Sequence, residues 1–143
     1  MRTIIISVAI ALGILFSNCE NNNSTTNSFD VHQTIIVDSE LFINAPDDDF
    51  DFANAEIIGD SLKLTIRYGG GCGDVEIKLI DSGAIMESYP VQRNIRLSLK
   101  DKDLCKALLT KVISFNLIPV RVSDNQKVSL NLAGWESPLL YEY

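Results

Sequence analysis

The sequence contains a single histidine, His32, and this scarcity narrows the catalytic mechanisms open to the chain. Serine and cysteine nucleophiles usually need a histidine as general base, and His32 lies beside a polar tract rather than a nucleophile motif. A phosphate-binding P-loop is excluded because no Lys-Ser or Lys-Thr pair follows the glycine-rich residues 69–73. We therefore expect the protein not to be an enzyme.

Basic residues are also few, and they are scattered singly along the chain. Twelve Lys and Arg residues stand against 19 Asp and Glu residues, which gives a formal net charge of −7. Proteins bind nucleic acid through clustered Lys and Arg side chains that contact phosphates. The charge pattern therefore predicts no nucleic-acid partner.

One long apolar run is present at the start of the chain, over residues 4–16 and after Arg2. It has the anatomy of a secretory signal and is shorter than the roughly 20 apolar residues that span a bilayer. Residues 15–19, Leu-Phe-Ser-Asn-Cys, resemble the lipobox of bacterial lipoproteins. The resemblance implies that residues 1–18 are a signal peptide and that Cys19 carries a lipid. An ordinary cleaved signal and an uncleaved anchor are the alternatives.

The segment after Cys19 has the composition of a linker. Residues 20–28 contain no aliphatic or aromatic side chain, so they cannot bury an apolar face, and we expect a disordered tether. We accordingly divide the chain into a signal peptide (1–18), the lipidation site with its tether (19–31) and a single domain (32–143). The domain has about 110 residues, enough for one core of its own.

The sequence has three cysteines, and assigning Cys19 to lipid leaves Cys72 and Cys105 as a pair. In an oxidising compartment such a pair most simply forms a disulfide. A metal site would need further Cys or His ligands at short spacing, and the two cysteines are too far apart for a Cys-x-x-Cys redox motif. We predict a structural disulfide, with a metal site or free thiols as the alternatives.

The clearest secondary-structure pattern is a strict alternation of apolar and polar residues on both sides of residues 69–73. It covers residues 61–68 and 74–80 and is typical of strands with one buried and one solvated face. We interpret residues 69–73 as the connection of a β-hairpin, or alternatively as a nest of N–H groups that binds an anion. The hairpin would place Lys63 and Arg67 opposite Glu76 or Asp74.

Further short strands are predicted along the rest of the chain. Residues 94–100, 128–132 and 139–143 show strand patterns, and residues 34–37 and 41–43 are short β-rich runs. Over residues 111–117 we favour a strand over a helix, because Val112, Ile113 and Phe115 favour β-structure. Seven to nine short strands separated by Gly, Pro and Asp turns predict an all-β fold. We expect an antiparallel sandwich of the immunoglobulin-like general type, with a small barrel as the alternative.

The order of these features resembles that of small lipoproteins of Bacteroidota. The shared features are the lipobox-like signal, the polar tether, the stretch Tyr-Gly-Gly-Gly-Cys-Gly at 68–73 and the stretch Asp-Leu-Cys-Lys-Ala at 103–107. The resemblance implies export, lipidation and pairing of the two remaining cysteines. It implies nothing about activity.

Two groups of residues are candidates for binding. Asp47, Asp49 and Asp51 could supply oxygen ligands to Ca²⁺, although a solvated acidic loop is the alternative and we expect no cofactor. Trp135, Tyr141 and Tyr143 could form an aromatic platform for a sugar or a partner chain, or could close the edge of the core.

The sequence as a whole predicts a non-enzymatic domain held at a membrane of the bacterial cell envelope by a lipid anchor, on the periplasmic or the outer-membrane surface. Its partner would be an envelope protein or a glycan. A structural envelope component without a ligand is one alternative. A glycoside hydrolase that uses carboxylates such as Asp101 and Asp103 is the other.

Overall fold

A computed structural model describes residues 31–102, 104, 105 and 107–143, so the predicted signal peptide, Cys19 and nearly all of the tether lie outside it. The described chain is an all-β sandwich of two sheets that are not closed into a barrel, which confirms the predicted fold class. Its strands are β1 (Val31–Thr34), β2 (Ile36–Val37), β3 (Phe50–Ile58), β4 (Ser61–Gly70), β5 (Val75–Met86), β6 (Val91–Asp101), β7 (Ala107–Asn116), β8 (Lys127–Leu132) and β9 (Leu139–Glu142). The helices are α1 (Ser39–Asn44) and the short 3-10 helix Ile118–Val120. Neither is long and apolar enough to cross a membrane.

The two sheets contain four and five strands. The first has the order β1-β7-β4-β3 and the second the order β2-β5-β6-β8-β9. The strands are not all antiparallel as predicted: both sheets are mixed. The pairs β1–β7, β2–β5 and β6–β8 are parallel, whereas the other neighbours are antiparallel. On one side of the sandwich the chain itself passes from β1 to β2 through the buried Ile35. On the other side the edge strands β3 and β9 lie near each other, but no segment of the described chain leads directly from one to the other.

The core lies between the sheets and is built from the inward positions of the alternating strands. Side chains that are almost completely buried there include Leu62, Leu64, Ile66, Leu79, Ile95, Leu97, Leu99, Ile113, Phe115, Val128, Leu130 and Tyr141. The alternation recognised in the sequence therefore identifies the inward faces of β4, β6 and β8 correctly.

The predicted hairpin at residues 69–73 is wrong. Strand β4 belongs to the first sheet and β5 to the second, so residues 71–74 carry the chain from one sheet to the other. The cross-strand ion pairs predicted with it do not form: Lys63 Nζ lies 4.0 Å from Glu56 Oε1 on β3, and Lys78 Nζ lies 2.5 Å from Glu76 Oε1 on the same strand. Two alternating strands look alike in sequence whether they pair within a sheet or face each other across a sandwich, which explains the error.

The predicted disulfide between Cys72 and Cys105 is present, with the two Cα atoms 5.8 Å apart. Next to it, Gly71 has φ +119°, and a Cβ placed there would lie 3.3 Å from the Cβ of Ala107. This glycine is therefore required both for its backbone conformation and for its close approach to the start of β7.

Residues 41–43, predicted as a β-rich run, form part of helix α1 instead. The side chain of Asp38 caps the helix by accepting a hydrogen bond from the N–H of Leu41 at 2.8 Å. After the helix, the chain runs along the outer face of β6, where Ser98 Oγ donates to the carbonyl of Pro46 at 2.7 Å. This route brings the acidic residues 47–51 to the end of β6.

Asp81 lies inside β5 at an irregularity in its pairing with β6, although Asp-Ser-Gly at 81–83 has the composition of a turn. Its buried carboxylate accepts hydrogen bonds from Arg93 Nε at 2.9 Å and Arg93 Nη2 at 2.6 Å, and another from the N–H of Gly83 at 2.6 Å. The side chains of Asp81 and Arg93 are 0% and 6% exposed. They form a buried, bidentate ion pair within the second sheet.

Candidate functional site

A concave surface on the open side of the sandwich consists of two adjoining clefts of about 320 and about 440 Å³ that share Phe52 and Gly134. We call them together the acidic groove. Its lining residues are Asp47, Asp48, Asp49, Phe50, Asp51, Phe52, Arg96, Leu97, Ala133, Gly134, Trp135, Glu136 and Ser137. It therefore contains five carboxylates, one cation and three aromatic rings.

The acidic segment of the groove is fixed in place by its first two aspartates. Asp47 forms a bridge with Leu99 of β6, and the N–H of Asp48 donates to the carbonyl of Leu99 at 3.0 Å. The carboxylate of Asp48 accepts a hydrogen bond from the N–H of Asp101 at 2.7 Å. In the part of the chain that the structure describes, the carboxylates of Asp49 and Asp51 are exposed and have no hydrogen-bond partner. They are therefore open to a ligand.

Arg96 supplies the only cationic side chain that lines the groove within the described ranges. Its Nη2 donates to the carbonyl of Ala45 at 2.5 Å, and its Nη1 lies 3.7 Å from a carboxylate oxygen of Asp47. The guanidinium also packs over the ring of Phe42 at 5.9 Å. Arg96 is thus engaged in holding the acidic segment against β6, and the groove keeps an excess of negative charge.

The aromatic side chains of the groove form a continuous edge-to-face chain. The ring centroids of Phe50 and Phe52 are 5.1 Å apart at 88°, and those of Phe52 and Trp135 are 6.1 Å apart at 80°. All three residues are half-buried, with one face against the core. Gly134 has φ +81°, and a Cβ placed there would lie 3.4 Å from the ring of Phe52. A contact at that distance is ordinary, so it is the positive φ of Gly134 that favours glycine in this part of the groove.

The three aromatic residues predicted as a platform do not form one surface. Trp135 lines the acidic groove, but Tyr141 is completely buried, so its ring is not available to a ligand and that part of the prediction is wrong. Tyr143 is half-buried with its ring centroid 4.9 Å from that of Tyr141, and its hydroxyl accepts from the N–H of Val122 at 2.8 Å. Tyr141 closes the core, as the alternative interpretation expected.

Tyr141 also belongs to a polar cluster that connects the two sheets. Its hydroxyl donates to Asp60 at 2.6 Å and accepts from Arg121 Nε at 2.9 Å, while Arg121 Nη2 donates to Asp60 at 2.5 Å. The hydrogen bonds from Tyr141 and Arg121 hold the pKa of Asp60 below its ordinary value. Burial and the bond to Asp60 raise the pKa of Tyr141. The cluster ties the β3–β4 turn to β9 and is structural.

Asp47, Asp49 and Asp51 do not come together as a calcium site. Within residues 31–102, 104, 105 and 107–143, no three His, Cys, Asp or Glu side chains are grouped so that they could hold a metal ion. Asp47 is directed to Arg96, and Asp51 lies on β3 opposite Arg67. The three aspartates instead form the acidic wall of the groove.

Other residues singled out in the sequence lie away from the groove or outside the described chain. His32 is exposed on β1 opposite Ser114, and Asp103 falls outside the described residues. The sequence reasoning missed Phe50, Phe52 and Arg96. The Asp-Phe-Asp-Phe alternation at 49–52 was the available signal for the two phenylalanines, but nothing local identifies Arg96, whose partners are distant in sequence.

Comparison with known proteins identifies the fold and no family. No protein-family model matches the sequence, and no match is found among curated proteins. Among solved structures, the chain resembles a NigD-like immunity protein from Bacteroides caccae (11% identity, TM-score 0.57, 71% of this chain and 52% of that chain). It also resembles a DUF1344 protein from Bacteroides vulgatus (13% identity, TM-score 0.58, 79% of this chain and 57% of that chain). A third similar structure is a toxin-related protein from Parabacteroides distasonis (17% identity, TM-score 0.54, 79% of this chain and 59% of that chain). The chain thus spans little more than half the length of each of these proteins.

Proposed function

We propose that this chain is a lipid-anchored, non-enzymatic protein of the bacterial cell envelope whose sandwich binds a partner protein at the acidic groove. The observation that carries the proposal is an aromatic floor together with two carboxylates, those of Asp49 and Asp51, that have no partner among the described residues, beside the outer edge of β3. Partly buried aromatic rings with a polar rim are the usual anatomy of a protein-binding surface.

The shape of the groove favours a polypeptide over a small molecule. Small-molecule sites enclose most of their ligand, whereas this groove follows the open side of the sandwich along the edge strand β3. Its charge favours a basic partner, since Asp49 and Asp51 lack partners of their own among the described residues.

The sequence and the fold neighbours support the remaining parts of the proposal. The lipobox-like residues 15–19 support lipidation at Cys19 and a place at a membrane surface. The names of the neighbours, NigD-like immunity and DUF1344 proteins, fit a non-enzymatic protein of the envelope type. Their identities of 11% and 13% carry the fold alone.

A glycan is the second candidate ligand, and a different surface favours it. A cleft of about 760 Å³ is lined by Tyr89, Pro90, Asp124, Asn125, Gln126, Lys127, Glu142 and Tyr143. Tyr89 as a whole residue is 88% exposed, and Lys127 Nζ lies 5.2 Å from the centroid of its ring. An exposed tyrosine ring surrounded by amide and carboxylate groups is suited to stacking on and hydrogen bonding to a sugar.

Affinity capture from envelope extract tests the protein-binding proposal. The bait is the full-length lipidated chain, compared with Asp49→Lys/Asp51→Lys and with Asp74→Lys/Glu87→Lys, a charge-matched control at two exposed residues that line neither the groove nor the Tyr89 cleft. We expect a captured protein whose recovery falls about tenfold or more with the groove variant only. Equal recovery with both variants would remove the groove from the proposal.

Cys19→Ser should release the chain from the membrane fraction if Cys19 carries the anchor.

A further inference from the structure

Strand β3 forms a nine-residue edge of the first sheet. It pairs with β4 on one side, and among the described residues its backbone makes no hydrogen bond to any other element. An unpaired edge of this length is a template for another strand. Proteins usually block such edges with short strands, bulges or charges.

The two faces of β3 differ in chemistry. Phe50, Phe52, Ala55 and Ile57 are half-buried and pack against the core. The other face exposes Asp51, Asn54 and Glu56. A strand added beside β3 would continue both faces, because side chains of neighbouring strands project in register. Its inward side chains would meet Phe52 and Trp135, and its outward side chains would meet carboxylates.

The charges around β3 select the added strand. On β4, Arg67 lies opposite Asp51, and Lys63 Nζ lies 4.0 Å from Glu56. A cationic strand on the free side would give each carboxylate a second positive neighbour. A second copy of this chain would instead bring further carboxylates toward the edge of a protein whose net charge is −7.

We propose, on the basis of the proposed function, that the partner binds by adding an extended amphipathic segment to the free edge of β3. The segment alternates Lys or Arg, which face Asp51 and Glu56, with apolar residues, which enter the acidic groove against Phe52 and Trp135. A register shift between Phe52 and Asn54 marks a bulge at Ala53. This bulge divides the edge into two short ladders and opposes the formation of long continuous sheets between copies.

Amide hydrogen exchange with a synthetic probe tests the proposal. The probe is a nonapeptide of alternating lysine and valine, and the controls are the glutamate-valine peptide and the lysine-valine peptide N-methylated throughout. We expect the lysine-valine peptide to slow the exchange of amides within residues 50–58. It should bind about tenfold or more tightly than either control, because it alone has both positive side chains and backbone N–H donors. Equal binding of the N-methylated peptide, or no protection in β3, would overturn the proposal. Protection that rises with protein concentration alone would mean that a second copy occupies the edge, which also overturns it.

A proline variant distinguishes binding by strand addition to β3 from binding through the groove alone. Proline is tolerated at bulges and on edge strands, so Ala53→Pro should block the added strand while leaving the pairing with β4, and Ala53→Ser is the matched control. Thermal unfolding of both variants establishes that they are folded. If Ala53→Pro loses the peptide and the captured partner, strand addition is the binding mode. If Ala53→Pro still binds both the peptide and the partner, strand addition is wrong while the groove remains the binding surface. If neither the wild type nor any variant captures a partner, the proposed function itself fails.

Discussion

Cys72 and Cys105 join the two connections that carry the chain between the sheets at one end of the sandwich. Residues 71–74 lead from β4 to β5, and the segment that contains Cys105 leads from β6 to β7. Because β4 pairs with β7 and β5 pairs with β6, the two connections run side by side, and their cysteines approach to a Cα–Cα distance of 5.8 Å. The disulfide therefore holds both sheets together at this end.

Removing the disulfide should lower stability without changing the fold. The two cysteines are 33 residues apart in sequence, and a loop of that size contributes about 3–4 kcal/mol to the free energy of unfolding on the chain-entropy estimate. Urea unfolding of Cys72→Ser/Cys105→Ser, compared with the wild type, measures the loss. An unchanged urea midpoint would contradict this estimate and would mean that the unfolded chain is already restricted between residues 72 and 105.

The Asp81–Arg93 pair should be far more sensitive to the loss of one partner than of both. Arg93→Met leaves a buried carboxylate without its cation and should cost about 3–5 kcal/mol in stability. Asp81→Asn/Arg93→Met keeps an acceptor for the N–H of Gly83 and removes both charges, so it should recover part of that loss. A double-mutant cycle measured by urea unfolding checks this, and additive losses would contradict it.

The Asp60–Tyr141 bond should make stability depend on pH at both extremes. The pKa of Asp60 is lowered from 3.8 by its bonds to Tyr141 and Arg121, so its contribution is present above pH 3.8 and is lost as the pH falls through the lowered value. The pKa of Tyr141 is raised from 10.0 by burial and by Asp60, so its contribution is fully present below pH 10.0 and is lost as the pH rises from there through the raised value.

Tyr141→Phe should therefore flatten both limbs of the plot of unfolding free energy against pH. The exposed Tyr89→Phe is the control for loss of a hydroxyl that makes no hydrogen bond among the described residues. Urea unfolding at a series of pH values gives the three curves. Identical curves for Tyr141→Phe and the wild type would contradict the assignment.

Gly134→Ala should disturb the groove, whereas Gly59→Ala should not. Both glycines have positive φ, at +81° and +56°, so alanine at either position should cost about 1–2 kcal/mol in stability. At Gly134 the strain would fall on a residue that lines the acidic groove beside Phe52, whereas Gly59 does not line the groove. Thermal unfolding should show similar losses for both, but weaker partner binding for Gly134→Ala alone. Weaker binding for both would point to a general loss of folded protein.

The sequence predicts the fold class and the strands well because burial in a sandwich imposes an alternation of apolar and polar residues, which β4, β6 and β8 keep. The apolar positions of β4 and β6, such as Leu64 and Leu97, show this directly. Alternation carries no information on which sheet a strand joins, so the connection at residues 69–73 was assigned to a hairpin. The cysteine pair is a better guide to topology than the alternation, since a disulfide requires the β4–β5 and β6–β7 connections to lie side by side.

The groove could be predicted only in part. Trp135 and the aspartates at 47, 49 and 51 were identified by residue type, but their assembly depends on long-range contacts such as that of Ser98 with Pro46. Helix α1 is not predicted because residues 41–43 have β-rich composition, whereas the signal for the helix is its N-cap residue, Asp38. Tyr141 was misassigned because a terminal aromatic run looks the same whether it faces solvent or the core.

Site-specific photo-cross-linking in the native cells tests the central claim most directly. A photoreactive phenylalanine is placed at Asp49 or Trp135 in the groove, and at Glu87 as the control in the β5–β6 turn. We predict that both groove positions give the same cross-linked partner protein and that the position at Glu87 does not. Cross-links from Glu87 alone, or none from the groove in correctly folded protein, would contradict the account.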